Sequence, residues 1–160
     1  MVPYKHLSAN FGMSLVELIL VVCIIGIFAA VATIPFSRAT TETQLINAAD
    51  RLVTDLIIVR NQARREQKPY SLVFNPANLS YHATGVIDTA NANDIFVNLI
   101  ADNRYTLSDI KFDLDDSSKT ITFNKFGYPL VEGEITLVKG SWEITINIYS
   151  NGKIVPSKPN

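Results

Sequence analysis

The chain is poor in the side chains that build most catalytic and metal sites. Of its 160 residues one is cysteine and two are histidine. His6 lies near the start and His82 inside a strand-like pattern, so neither a Ser/His/Asp arrangement nor a two-histidine metal site can be assembled from them. The expectation is no enzyme, no catalytic residue, no metal and no cofactor. Nothing reads as a glycine-rich phosphate loop, so any work driven by a nucleotide must come from another protein. The formal net charge is -1 and the pI about 6.1, which excludes a global basic field and makes DNA an unfavoured partner. Cys23 has no second cysteine to pair with, so the fold must stand without an intrachain disulfide.

What the sequence does have is one long oily run. It reads "NFGMSLVELILVVCIIGIFAAVATIP" over residues 10–35, and from Leu18 to Ile34 every residue is apolar or small, with Thr33 the one hydroxyl. That length is at the lower end of what crosses a bilayer as helix, and it is ample once residues 13–17 are added. Lys5 and His6 precede the run and Arg38 follows it, a weak bias that keeps the N-terminus cytoplasmic and exports the rest. Glu17 stands at the entrance, where a carboxylate costs a few kcal/mol unless something neutralises it.

Three readings fit the run. A cleavable secretory signal would use Lys5, an apolar stretch at residues 18–29 and "AVA" at 30–32, and would release a soluble periplasmic ligand-binding β domain beginning at Thr33. A permanent anchor explains the length alone. Both leave Glu17 without a purpose.

The third rests on "GMSLVELILVVCIIGIFAA", residues 12–30, which resembles the N-terminus of type IV pilins and pseudopilins. Cleavage glycine, carboxylate offset and an apolar run with an internal glycine all agree. The resemblance implies that a prepilin peptidase cuts after Gly12 and that Met13 becomes the N-methylated mature terminus. It implies that Glu17, fifth in the mature chain, offsets the α-amino group of a neighbouring subunit. Such an amine is largely cationic at neutral pH, and opposite charges close together favour both ionised forms where water is scarce. Gly26 and Pro35 would mark where the helix bends or unwinds on assembly. Two departures are Phe11 in place of the usual basic residue, and Pro35 one position later than the common proline.

Beyond Pro35 the apolar residues become striped. Leu45, Ala49, Leu52, Val53, Leu56, Ile57 and Ala63 recur at three- and four-residue spacing, which predicts an amphipathic helix ending by Pro69. From there β-branched and aromatic residues alternate with polar ones. Strands are expected at 70–74, 79–84, 95–100, 110–114, 120–123, 134–138, 142–149 and 153–155, with a polar loop over 85–94. The fold class is therefore α+β, a long N-terminal helix whose second half packs on an antiparallel sheet. The divisions are 1–12 leader, 13–35 transmembrane and assembly helix, 36–68 amphipathic helix and 69–160 β-rich periplasmic domain.

The tail "ITFNKFGYPLVEGEITLVKGSWEITINIYSNGKIV", residues 121–155, is similar to the C-terminal region of the GspH/FimT group of minor pseudopilins and minor pilins. The resemblance implies a structural subunit of a type II secretion pseudopilus, held in the bacterial inner membrane by a single pass and then in a periplasmic filament. Its partners would be other pseudopilins or pilins, the prepilin peptidase, an inner-membrane assembly platform and secreted cargo. A FimT-like minor type IV pilin, acting in pilus priming or DNA uptake, stays open beside it.

Four smaller features carry bland readings. Arg60, Arg64, Arg65 and Lys68 complement the C-terminus of the helix. "DLDDSSK" at 113–119 lacks the glycine and distal glutamate of a calcium loop and reads as a hairpin turn. Lys153 and Lys158 are too few for a salt-dependent DNA contact. Trp142, Phe123 and Phe126 read as core or edge packing.

Overall fold

The computed structural model describes residues 14–88, 92–115 and 119–160, and the side chains of all of these except 30–39. It divides into two compact units, Met1–Arg38 and Ala39–Asn160. Helix α1, Leu15–Glu66, contributes residues to both.

Among the described side chains of the first unit α1 has no polar face. Every large apolar side chain from Leu15 to Phe28 is exposed, from 38% at Val21 to 73% at Leu15. Consecutive residues of that kind coat a helix on all sides, and such a helix finds its stable surroundings in lipid or inside a bundle. Among the described residues no helix is long and apolar enough to cross a membrane. The run expected to do so, 18–34, continues past Ala29 into residues whose side chains lie outside the described set. Helix is assigned through both Gly26 and Pro35.

In the second unit α1 buries one stripe. Leu45, Ala48, Ala49, Leu52, Leu56, Val59 and Ala63 are nearly or wholly inaccessible, while Val53 and Ile57 sit half-buried at the margin. The stripe thus runs slightly to one side of the expected line, taking in Ala48 and Val59. The helix stops at Glu66 because Gln67 turns left-handed, with φ 55°, and the Lys68 N–H bonds back to the Ala63 carbonyl at 3.2 Å, a common helix stop.

Eight strands follow: β1 Tyr70–Asn75, β2 Ser80–Ile87, β3 Asp94–Asn98, β4 Asp109–Leu114, β5 Thr120–Phe123, β6 Gly133–Lys139, β7 Trp142–Ile148 and β8 Ile154–Pro156. The expected single sheet is two sheets of four strands, ordered β3-β2-β1-β5 and β4-β6-β7-β8, antiparallel throughout. Alternation buries every second residue, as in β7 where Ile144, Ile146 and Ile148 turn inward, and these meet the helix stripe in one core. Phe74 of β1 packs on Tyr81 of β2 and edge-on against Phe112 of β4, ring centroids 5.6 and 5.1 Å apart, which ties the sheets together.

Three strand expectations are corrected. Residues 85–87 belong to β2, because a register shift between Ala83 and Ile87 lets the strand resume with Val86 buried. β3 ends at Asn98, whose side-chain oxygen accepts from the Ile100 and Ala101 N–H groups and turns the chain. β7 ends at Ile148, one residue early, where Tyr149 begins a turn closed by the Gly152 N–H.

Candidate functional site

The residues singled out by the sequence are not brought together. Gly12 and Met13 lie outside the described residues. Glu17 sits in the first turn of α1, exposed among exposed apolar neighbours. There its charge favours the positive end of the helix dipole. Gly26 lies inside the helix with open space where a Cβ would stand. Pro35 is within α1, its side chain outside the described set. Cys23 is exposed.

Of the cations closing the helix, Arg60 is structural: its Nη1 donates to the Gly152 carbonyl at 2.7 Å and holds the β7–β8 turn. Arg64, Arg65 and Lys68 are exposed. His82 is exposed on β2, and Lys153 and Lys158 are exposed in the tail. Among the described residues no group of three or more histidines, cysteines or carboxylates could hold a metal ion. Phe123 is buried and Trp142 half-buried as expected, but Phe126 is 59% exposed. It sits at the tip of a hairpin turn closed by Asn124, whose carbonyl accepts from the Gly127 N–H at 2.8 Å and whose side-chain oxygen accepts from Phe126 and Tyr128. That geometry projects residue 126 away from the core.

The second unit also contains a buried polar cluster that periodicity did not disclose. Asp55 is wholly inaccessible on the helix stripe. Its Oδ2 accepts from Arg51 Nε at 2.9 Å and from the hydroxyl of the equally buried Tyr81 at 2.8 Å. Arg51 Nη2 reaches Asp88 at 2.7 Å. Burial pushes the Asp55 carboxyl above its ordinary range, against the opposing effect of the Tyr81 and Arg51 contacts. Burial and the adjacent Asp55 charge push the Tyr81 phenol well up. Burial works against the Arg51 charge, but Asp88 and Asp55 outweigh it and hold its proton more firmly than usual. The arrangement can do no acid–base work on a substrate while Asp55 is sealed from solvent. It pins α1 to β2 and to the end of that strand. The available signal was a carboxylate on an apolar stripe with an arginine four residues before it.

No family model and no curated protein sequence matches the chain. Among solved structures it is similar to the type IV minor pilin FimU of Pseudomonas aeruginosa PAO1, with a TM-score of 0.53 at 15% identity over 71% of this chain and 87% of that one. The fold is pilin-like. At that identity the likeness is one of architecture, a helix stripe against antiparallel sheets, and the pilin-like domain carries its own core.

Proposed function

We propose that this protein is a minor pseudopilin, a structural and non-enzymatic subunit of a type II secretion pseudopilus. It is made as a prepilin, cut after Gly12, methylated at Met13, and held in the bacterial inner membrane by residues 13–35 until assembly, with the β domain periplasmic. The observation that carries this reading is the exposure of every large apolar side chain from Leu15 to Phe28 in a chain whose other unit is pilin-like. Such a helix requires lipid first and other helices afterwards. Glu17 then has a role, to select a neighbouring subunit through its α-amino group. Other pilin-like subunits, the prepilin peptidase, an assembly platform and cargo are the partners.

Glu17→Ala should insert in the membrane and mature normally yet fall out of the filament fraction, and Gly12→Ala should insert but stay unprocessed. Normal incorporation of the first and normal maturation of the second would defeat the proposal. One observation favours a second reading, a minor subunit of a type IV pilus: the similar solved structure is described as a type IV minor pilin. Deleting the gene in a host with only one of the two machines separates them, since secretion fails in one case and piliation in the other.

A further inference from the structure

After β5 the chain turns at residues 124–127 and runs back beside that strand, with the Leu130 N–H bonded to the Thr122 carbonyl and Phe123 bridged to Pro129. In this ribbon Gly127 and Pro129 are buried while Phe126, Tyr128 and Leu130 are 59%, 50% and 64% exposed. Tyr128 and Leu130, at alternate positions of the returning segment, share one outward side, and Phe126 stands exposed at the turn that leads into it. Pro129 offers no N–H, so the ribbon does not invite an added strand. The side chains themselves are the contact surface.

The two ends of the ribbon carry opposite charge. At one end Lys125, with its Nζ over the Phe126 ring, joins Arg64 and Arg65 from the last turn of α1 around a surface hollow of about 590 Å³ that Phe126 and Tyr128 also line. At the other end Glu132 and Glu134 adjoin Asp113 and Asp115 of the β4 end: Asp113 faces Glu134 across the ladder, and the Asp115 N–H bonds the Glu132 carbonyl. All four carboxylates are exposed. Like charges placed directly across strands are unfavourable. Among the described residues no ion pair involves the three cations or the four acids.

An apolar centre flanked by unneutralised charge of each sign is complementary to itself under a two-fold rotation. We propose that residues 125–134 form the contact face of a homodimer of the Ala39–Asn160 unit. Lys125, Arg64 and Arg65 of one copy meet the carboxylates of the other, and Phe126, Tyr128 and Leu130 pack between them. Aromatic residues inside a charged rim are the usual composition of a protein contact. The acids at one end argue against nucleic acid, which they would repel.

The Ala39–Asn160 unit contains every buried core residue among those described and can be tested by itself in sedimentation equilibrium. It should dimerise with an affinity that weakens in salt. Lys125→Glu alone and Glu134→Lys alone should each weaken association ~10-fold, and mixing the two variants should restore it, because both charge contacts are then complementary in the mixed dimer. Leu130→Ser should weaken association without changing the melting temperature measured at concentrations where both proteins are monomeric. A unit that stays monomeric up to its solubility limit, or a mixture no tighter than its components, overturns the proposal. So does salt-sensitive binding of a DNA oligonucleotide by the monomer that Lys125→Glu abolishes.

Discussion

Helix α1 contains two stretches of similar chemistry and opposite fate. Residues 15–28 and residues 45–63 are both rich in Leu, Ile, Val and Ala, yet the first exposes all its large apolar side chains and the second buries a continuous stripe to near zero. The difference is spacing. Where Glu42, Gln44, Asn47, Asp50 and Thr54 interrupt the apolar residues, one face is left for the chain's own sheets and the other for water. Where only Glu17 interrupts them, apolar side chains face every side of the helix and no single sheet can cover it. Helical propensity is common to both stretches; periodicity decides whether the partner is internal.

Matched substitutions sharpen this contrast most. Leu52→Ala should cost about 3–4 kcal/mol of unfolding free energy through the cavity it leaves, while Leu20→Ala should leave the denaturation midpoint unchanged. Equal effects would erase the distinction. Within the buried stripe, Asp55→Ala should cost about 2–3 kcal/mol, since it leaves the Tyr81 hydroxyl without its partner and Arg51 with Asp88 alone. Gly133→Ala should cost about 2 kcal/mol: Gly133 has φ 139°, and its Cβ would press on the Asp113 carbonyl of the β4 backbone.

The smallest effect concerns pH. Because burial raises the Asp55 carboxyl above its unfolded value, the folded state binds that proton more tightly. Its contribution is full below the unfolded value and declines as pH rises through the folded one. Relative to Asp55→Asn, which does not titrate, the wild-type chain should therefore gain stability between neutral pH and about pH 4. Urea titrations at the two pH values measure it, and a wild-type chain that loses ground on acidification would show Asp55 to be a stabilising anion instead.

The α+β class, the helix stripe and the approximate position of every strand were legible because they depend on local alternation of apolar and polar residues. The limits of that signal show at particular residues. Val86 continues β2 past Gly85 through a register shift, which has no regular pattern. Asp55 broke the stripe, but only tertiary contact reveals Tyr81 and Asp88 as its company. Phe126 read as core or edge packing, with no local signal to choose between them, and an Asn124 turn sends it outward. The processing and assembly roles proposed for Gly12, Met13 and Glu17 rest on resemblance, because such roles concern events between molecules that a single folded chain does not display.

The most direct test of the account is the intact mass and N-terminal residue of the mature protein, purified from membranes of cells that hold its native export machinery. A chain beginning at N-methylated Met13 is the predicted result and would make residues 13–35 an assembly helix that seeks its partners in other subunits. A chain beginning at Thr33, or an uncut Met1, would contradict it, leaving respectively a released domain or a simple anchor.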